Sequence, residues 1–382
     1  METYKLSDLC EILDSKRKPL SALQRAKKQG IYPYYGAQGI IDHLDDYLLD
    51  GEYLLVAEDG ANLETRNQPI ANIAKGKIWV NNHAHVLGSN GKCPLNLLGF
   101  ILNNMNISPY VTGCAQPKLN QENLRNIEIE LPSHIDSIAS ILSSLDRKIE
   151  LNNKINADLE EMAQAIFKNW FVDFEPFKDG NFVDSELGMI PEGWKVGRLT
   201  EIASYMNGLA MQKFPPENNE GSLPVLKIKE LGQGFCGTDS DRCSCNIKDE
   251  CKIHNGDVIF SWSGTLLVDV WCGGDCGLNQ HLFKVTSKDY PKWFYYYWTK
   301  HHLQEFIHIA KDKAVTMGHI KRAHLEEAMV AIPDNDSMEK AHELFEPILS
   351  KMISLRLENS RLSLLRDTLL PRLMSGELEV PE

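Results

Sequence analysis

One long stretch without helix breakers, residues 131–173, constrains this chain more than any other part of the sequence. It contains no glycine, and no proline after Pro132, while Ser133 and Asp136 have the spacing of a helix-capping pair. Apolar residues then recur every three or four positions as far as Ile166, which is the period of one helix face. A helix of roughly 35 residues would be about 50 Å long, more than one face of an ordinary domain covers. The sequence therefore predicts either a helix that needs a partner or, alternatively, the core helix of a larger domain.

A second stretch with the same plan, residues 332–373, can be that partner. We expect the two helices to pack antiparallel along their apolar seams. The predicted seam residues are Leu145, Asn152, Ile155, Leu159 and Met162 on the first helix and Met352, Leu355, Asn359, Leu362 and Leu369 on the second. Each seam carries one asparagine, which either fixes the register of the pair, as in coiled coils, or lies solvated at its edge.

The similarity between the two halves of the chain extends beyond the helices. Asn81-Asn82-His83 is matched by Asn279-Gln280-His281. Gly51 is matched by Gly256, and each of these two glycines lies in a turn just before an apolar strand. The sequence therefore predicts an α+β protein with an internal pseudo-two-fold duplication, in which two mixed α/β globules are separated by two long antiparallel helices. The predicted segments are a first globule at 1–131, a first helix at 132–178, a second globule at 179–332 and a second helix at 333–382.

Length and composition fit a globular protein of two or three domains, because 382 residues with 43% hydrophobic and 24% charged content are ordinary for that class. No apolar run approaches the roughly 18 residues of a membrane span, and the amino terminus lacks a signal-peptide pattern. We therefore expect a cytoplasmic protein that does not interact with a membrane. Its nine cysteines fit reduced thiols in that compartment.

The net charge of −13 argues against nucleic-acid binding, but the acidic residues are unevenly placed. None lies between Asp14 and Asp42, a segment rich in lysine, arginine and tyrosine, and a second basic and aromatic segment spans 292–324. Such runs are either solvated faces or DNA-binding patches, and one in each globule favours DNA. The candidate DNA contacts are Lys16, Arg17, Lys18, Arg25, Lys27, Lys28, Tyr34, Asn82, His83, Gln116, Lys118, Lys227, Lys229, Gln280, His281, Lys313, His319, Lys321 and Arg322.

Motifs for catalysis or cofactor binding are absent from the sequence. It has no Gly-rich nucleotide loop, no His-Glu-x-x-His and no tetrapeptide of the kind that amino-methyltransferases use. We therefore expect a non-catalytic chain without a cofactor or metal of its own. One alternative stays open at this stage: Cys243, Cys245, Cys272 and Cys276 are either ligands of a structural zinc ion or buried free thiols.

Several short motifs, distributed along the chain, resemble those of the specificity subunit of Type I restriction-modification systems. They are Gly51 and Gly256 at the turn before a strand, Gln116-Pro117-Lys118, and the segments AIFKNWFVDF at 165–174, LGMIPEGW at 187–194 and LPRLMSGEL at 370–378. The resemblance spans essentially the whole chain. It implies two target-recognition domains, each of which reads one half of a split, asymmetric DNA sequence.

The resemblance also implies partners. Two methyltransferase (modification) subunits would dock on the helices and carry S-adenosylmethionine, and ATP- and Mg-dependent restriction subunits would join where they are present. The double-stranded DNA target fits two different globules, because each can contact its own half-site. Two other functions remain as alternatives: a two-domain scaffold that binds only proteins, and a zinc-dependent nuclease that acts alone.

If the helices set the distance between the half-sites, their length should be readable in the DNA. Four residues inserted beside Leu159 would add roughly 6 Å, nearly two base pairs, and rotate the far globule by only about 40°. We expect unchanged half-sites and a gap longer by one or two base pairs. Two inserted residues would rotate the seam by about 200° and should abolish function. Methylome sequencing of both insertions is the measurement, and new base identities with an unchanged gap would contradict the expectation.

Overall fold

The computed structural model describes residues 2–66, 68–113, 116–217, 221–312, 318–378 and 380. Its contacts divide the chain into two compact units: unit 1 is Met1–Ile149 with Leu362–Glu382, and unit 2 is Glu150–Arg361. Each unit thus holds one globule and a part of both long helices. This division cuts through the helices and does not test the four predicted segment limits, which stay a prediction. Within the described part of the chain, no helix combines the length and apolar content that a membrane span needs.

Unit 1 is built on one mixed sheet. Its strands are β1 (Glu2–Lys5), β2 (Cys10–Ile12), β3 (Gln29–Gly36), β4 (Gly39–Leu44), β5 (Leu49–Ala57), β6 (Ala71–Val80), β7 (Ala84–Ser89) and β8 (Glu128–Leu131). Its short helices are α1 (Leu6–Leu9), α2 (Ala22–Ala26), α3 (Asn62–Thr65), α4 (Leu95–Asn104) and α5 (Gln121–Arg125). Six strands form the sheet in the order β2-β7-β5-β6-β3-β4, and β1 pairs separately with β8. The apolar helix α4 buries Leu97, Leu98 and Leu102 in the core of this unit.

The first long helix, α6 (Ile135–Phe171), follows β8 directly and continues into unit 2. The strands of unit 2 are β9 (Phe182–Ser185), β10 (Gly188–Pro191), β11 (Lys195–Arg198), β12 (Ser204–Asn207), β13 (Ser222–Leu226), β14 (Arg242–Ser244), β15 (Lys252–Ile253), β16 (Val258–Ser261), β17 (Leu267–Val270), β18 (Cys276–Leu278), β19 (Leu282–Thr286) and β20 (Met329–Ile332). The remaining helices are α7 (Leu199–Ile202), α8 (Ile228–Gln233), α9 (Lys292–His301), α10 (Leu303–Asp312), α11 (Arg322–Glu327) and the second long helix, α12 (Asn335–Met374).

Unit 2 has two four-stranded sheets, ordered β12-β19-β16-β17 and β14-β13-β18-β15. Its largest core is aromatic. Six consecutive residues of α9, Trp293 to Trp298, are buried there together with Phe167 and Phe171 of α6 and Phe345 of α12. The ring of Trp293 stacks on that of Phe345 with centroids 4.7 Å apart. This packing explains the segment at 165–174, since its phenylalanines attach the first long helix to the second globule.

The same plan occurs in both units, which confirms the predicted duplication. The sheet segment β2-β7-β5-β6 of unit 1 has its counterpart in β12-β19-β16-β17 of unit 2. Before each long helix, the last strand of the globule pairs antiparallel with a strand near its start: β8 pairs with β1, the first strand of unit 1, and β20 pairs with β11, the third strand of unit 2. The next residue also repeats its contact, because Leu6 N donates to Ile127 O and Leu199 N to Ala328 O.

The two long helices pack against each other, and the contacts run antiparallel. In unit 2, Phe167 of α6 lies beside Phe345 of α12, and Asn152 lies beside Asn359. In unit 1, Arg366 donates to Asp146 over 2.6 Å. Residue numbers therefore rise along one helix as they fall along the other.

Burial along the predicted seam follows the helical period. Asn152, Met352 and Leu355 are buried, and Leu145, Ile155, Leu159, Asn359, Leu362 and Leu369 are partly buried. Met162 is 45% exposed, and its assignment to the seam is wrong. The buried residue on this turn is Ala163, four residues after Leu159. Met162 is three residues after Leu159 and lies to the side of the buried face, because one helical turn takes 3.6 residues.

A polar layer interrupts the apolar seam in unit 2. The Asn152 amide donates to Asn359 Oδ1 (2.9 Å) and to Glu358 Oε2 (2.8 Å), and Asn359 donates to Asn153 Oδ1 (2.8 Å). Asn152 is fully buried, and the pairing satisfies the N–H groups of its amide, which would be costly to leave without a partner, while its Oδ1 has no partner among the described residues. The two seam asparagines therefore bond to each other and are not solvated at the edge.

We expect this layer to contribute measurably to stability. Asn152→Ala removes two donated hydrogen bonds and should lower the free energy of unfolding by about 1–3 kcal/mol. Adding Asn359→Ala should cost less than the sum of the single changes, because the pair is coupled. Urea denaturation of the full chain measures both, with Asn169→Ala on the exposed face of α6 as the matched control. Full additivity would show that the two amides act independently.

Candidate nucleic-acid interface

Three segments of unit 1 meet just beyond the end of β5, and we call them frame 1: residues 58–60, 81–83 and 117–119. The backbone N–H of Glu58 donates to His83 O over 2.9 Å, and Leu119 N donates to Glu58 O over 2.8 Å. Gly60 N donates to Pro117 O over 3.1 Å. The segment that follows β5, residues 58–60, thus holds the loops at 81–83 and 117–119 through backbone hydrogen bonds.

Unit 2 has the same arrangement beyond the end of β16, and we call it frame 2: residues 262–264, 279–281 and 318–320. Trp262 N donates to His281 O (3.4 Å), Ile320 N to Trp262 O (3.0 Å) and Gly264 N to Gly318 O (2.9 Å). All three bonds have their counterpart in frame 1. The two frames are therefore one backbone structure that carries two sets of side chains.

The turn that precedes each histidine is also shared. Asn81 Oδ1 accepts from His83 N over 2.7 Å, and Asn279 Oδ1 accepts from His281 N over 3.2 Å. Both asparagines are buried, whereas His83 is exposed and His281 partly so. The predicted match of Asn81-Asn82-His83 with Asn279-Gln280-His281 is thus confirmed at the level of individual hydrogen bonds.

The side chains on the frames differ. In frame 1, His83 Nδ1 lies 2.7 Å from Asp59 Oδ2, and Lys118 pairs with Glu58 over 3.2 Å. In frame 2, His281 Nδ1 lies 3.0 Å from Ser263 Oγ, and the indole of Trp262 lies between the rings of His281 and His319, at centroid distances of 5.9 and 6.4 Å. The structure thus brings Asn82, His83 and Lys118 together on one frame, and Gln280, His281 and His319 on the other.

A buried ionic cluster supports frame 1 from below. Arg17 pairs with Glu58 (2.6 Å) and Asp14 (3.2 Å), and its guanidinium also donates to the carbonyl of Ala84 over 3.0 Å. The fully buried His85 places Nδ1 2.6 Å from Asp14 Oδ2 and Nε2 2.7 Å from Leu119 O. Since a carbonyl only accepts, Nε2 carries a hydrogen, and a second hydrogen lies between His85 and Asp14.

The charges of this cluster set the protonation of its acids. Burial alone would raise the pKa of Asp14, but the hydrogen bonds from His85 and Val86 and the charge of Arg17 together hold it below its usual value. Burial would likewise raise the pKa of Glu58, which Arg17, His85 and Lys118 lower. Ligand atoms of Asp14, Glu58 and His85 lie within 4.8 Å of one another, a spacing that could hold a metal ion. Arg17 already supplies the positive charge to both carboxylates, so the cluster reads as an ion-pair network.

The predicted basic segment of unit 1 divides into exposed and structural residues. Lys16, Lys18 and Lys27 are exposed, and Lys18 N donates to Val80 O beside frame 1. Gln116 is exposed on the loop that enters the frame. Lys28 is partly exposed and pairs with Asp45 over 3.5 Å.

Three aspects of that segment require correction. Tyr34 is 1% exposed, and its hydroxyl accepts from Leu20 N, so the prediction that it contacts DNA is wrong. Arg17 is held by the ionic cluster, and Arg25 pairs with Asp42 over 2.9 Å. Both arginines are therefore neutralised within the fold. A charge run does not reveal this, because the acids that pair with them lie outside the run.

The predicted contacts of unit 2 are similarly mixed. Lys227 pairs with Asp241, and Lys229 with Asp239 over 2.5 Å. Lys321 and Arg322 are exposed and directly follow frame 2. Lys313 lies outside the described residues.

The aromatic part of the second basic segment is not a surface patch. Residues Trp293 to Trp298 form core, and Lys300 pairs with Glu160 of α6 over 2.5 Å. The run of aromatic rings is buried because α6 and α12 both pack on this helix.

The four cysteines considered as zinc ligands do not converge. Among the described residues, no group of three or more possible metal ligands includes any of them. Cys243 packs with Met211 and Val225, whereas Cys276 packs with Trp271 in a separate cluster. These four cysteines therefore do not form one ligand set in this structure, and burial raises the pKa of the Cys272 thiol, as expected for a free core thiol.

Sequence reasoning missed five side chains of the candidate site: Asp14, Glu58, Asp59, His85 and Ser263. These side chains become functional candidates only through partners far along the chain, such as Arg17 with Glu58. Asp59 and Ser263 could have been found from the sequence. Asp59-Gly60 and Ser263-Gly264 occupy equivalent places, each after an apolar strand that is matched between the two halves of the chain.

Comparisons with known proteins agree with this architecture. A sequence model of the Type I restriction modification DNA specificity domain matches residues 1–161 and 191–359. The chain is 32% identical over 288 residues to the Type I restriction enzyme MjaIX specificity subunit of Methanocaldococcus jannaschii, a match that covers 71% of this chain and 65% of that protein, just under two thirds. It is 21% identical over 327 residues to the Type I restriction enzyme HindI specificity subunit of Haemophilus influenzae, covering 69% and 71% of the two chains.

A solved structure shares the fold. The Type I restriction-modification S subunit of M. genitalium superposes with a TM-score of 0.54 at 14% identity, over 98% of this chain and 96% of the other. Together, the duplicated frames and the family match over both halves show that this chain belongs to the family of Type I restriction-modification DNA specificity subunits.

Proposed function

We propose that this chain provides the sequence specificity of a Type I restriction-modification complex by reading a two-part, asymmetric DNA site, one part with each globule. The observation that carries the proposal is the pair of frames, which repeat the same backbone hydrogen bonds but differ in the side chains they hold. Equivalent frames suit equivalent tasks, and different side chains at base edges select different sequences. The two half-sites would therefore differ.

The positive residues beside the frames fit contacts with DNA phosphates. Lys16 and Lys18 are exposed next to frame 1, and Lys321 and Arg322 are exposed next to frame 2. Phosphate contacts supply affinity and orientation, while side chains on the frames would supply sequence preference. This division allows a chain with a net charge of −13 to bind DNA locally.

We further propose that the long helices dock two modification subunits, and restriction subunits where these exist. Large apolar side chains remain exposed on both helices: Leu151, Met162, Leu344, Leu364 and Leu365. Leu364 is 69% exposed, although it lies in a well-formed helix. Exposed apolar residues of this kind favour a protein partner over solvent.

In this proposal the chain itself has no catalytic role and acts in the cytoplasm. S-adenosylmethionine, ATP and Mg would be bound by the partner subunits. The purified chain should neither methylate nor cut DNA, and adenine methylation by this chain alone with S-adenosylmethionine would contradict the proposal. A scaffold that binds only proteins would show no salt-sensitive DNA affinity, and that result would favour the alternative function.

The test of the proposal is a methylome. Deleting the gene from its host should remove methylation at one bipartite adenine motif, and restoring the gene should return it. If the deletion leaves every methylated motif in place in a host that carries the modification subunit, the proposed function is overturned.

The exposed lysines of unit 1 give a second prediction. Lys16→Ala with Lys18→Ala should weaken binding to all DNA sequences and reduce the slope of log affinity against log salt by up to about 2. The measurement is a salt titration of DNA binding by fluorescence anisotropy. Lys75→Ala with Lys92→Ala, two exposed lysines of the same unit, is the matched control. An equal reduction by both pairs would show that only overall charge matters.

Arg17 is left intact in this experiment. Removing its guanidinium would strand Asp14 and Glu58 in a partly buried site, so Arg17→Met would report on folding more than on DNA contacts.

A further inference from the structure

His83 and His281 occupy the same position on the two frames, yet a different side chain holds each of them. Asp59 Oδ2 lies 2.7 Å from His83 Nδ1, and Ser263 Oγ lies 3.0 Å from His281 Nδ1. The residues around them are otherwise bonded alike, from Asn81 and Asn279 to the loops that close the frames. The exchange of Asp59 for Ser263 is therefore a natural substitution on an almost constant backbone, although other side chains on the frames also differ.

The two partners constrain the imidazole differently. A carboxylate only accepts hydrogen bonds, so Asp59 requires a hydrogen on Nδ1 of His83. Nε2 of the neutral ring then carries a lone pair and can only accept. A serine hydroxyl can donate or accept, so Ser263 allows either tautomer of His281, and Nε2 there can donate or accept.

The other ring nitrogen is available in both frames. Among the described residues, Nε2 of neither histidine has a hydrogen-bond partner, and the His83 side chain is 49% exposed. The ring of His83 is fixed by Asp59, whose own side chain is only 18% exposed. A fixed ring with one free acceptor has the properties of a group that reads a hydrogen-bond donor.

We propose that His83 and His281 contact equivalent positions in the two half-sites, and that Asp59 and Ser263 are positioning residues that make the two contacts selective in different ways. His83 would accept from an exocyclic amino group in the major groove, adenine N6 or cytosine N4. His281 would tolerate donors and acceptors at its position. This inference rests on the proposed function, since it assigns individual residues to the reading of a two-part site.

An acidic neighbour favours base contact over phosphate contact for His83. Asp59 would repel a phosphate beside the ring, whereas a carboxylate near a base edge can itself accept from an amino group. The cation of frame 1, Lys118, is paired with Glu58. The acceptors at the place of the proposed contact are therefore the Asp59 carboxylate and Nε2 of His83.

The experiment reads the methylated motif of variants of the full chain. Each variant is co-expressed with the modification subunit of its own system in a host without adenine methylation, and long-read sequencing gives the base preference at every position. His83→Ala should relax one position of one half-site, and His281→Ala should affect only the other half-site. Relaxation by His83→Ala should be roughly 10- to 100-fold in discrimination at that position.

The positioning role of Asp59 has its own variants. Asp59→Ser copies frame 2 and should let bases without an amino group be accepted at the His83 position. Asp59→Glu keeps a carboxylate, which only accepts from Nδ1, and should retain the original preference, whereas Asp59→Asn, whose amide can donate or accept, should relax it as Asp59→Ser does. A merely structural role for Asp59 would not separate Asp59→Glu from the other two variants in this way. Exposed histidines outside the frames, His43 in unit 1 and His308 in unit 2, serve as alanine controls. Thermal unfolding of each variant checks that it folds.

The outcomes separate the inference from the proposed function. If the unchanged chain gives no bipartite motif, the proposed function fails. If it gives a motif that His83→Ala and His281→Ala leave unaltered, or that either variant weakens equally in both halves, the inference is overturned and the function stands. Equal effects of Asp59→Ser and Asp59→Glu would overturn the role of Asp59 alone.

Discussion

The backbone hydrogen bonds donated and accepted just beyond one central strand in each globule organise the rest of this protein. Glu58 and Trp262 each donate to the carbonyl of a histidine and accept from a loop residue, so the N–H and C=O of one residue join three distant segments. Backbone groups are the same whatever the side chains are, and they must be paired when buried. A frame made in this way can therefore keep its geometry while the side chains on it change.

The two globules support this common frame with opposite chemistry. Val56 pairs with His85 across the sheet of unit 1, and Phe260 pairs with Phe283 at the matching place in unit 2. Around His85, unit 1 uses Arg17 and two acids, whereas unit 2 uses rings, with Trp262 and Phe283 at 5.9 Å. A buried ion-pair network and an aromatic cluster can fill the same space, provided that every charge has a partner. The duplicated halves have thus diverged in their interior as well as on their surface.

Much of the architecture could be predicted from the sequence, because helical periodicity and repeated motifs are local signals. They gave both long helices, the asparagine pair and the matched histidine turns. What failed depended on distant partners: Tyr34 lies in the core, Arg17 is neutralised by Glu58, and the aromatic run of α9 is buried by the two long helices. A charge or ring in a sequence shows what a residue can do, and only the fold decides which face it occupies.

We propose above all that each frame faces its own half of one DNA site. Photo-crosslinking tests it most directly, with a photoreactive amino acid placed at Asn82 in one chain and at Gln280 in another, each assembled with the modification subunit on the methylated sequence. We expect the chain labelled at position 82 to crosslink to bases of one half-site and the chain labelled at position 280 to bases of the other. Crosslinks from both positions to the same half-site, or to flanking DNA only, would contradict it.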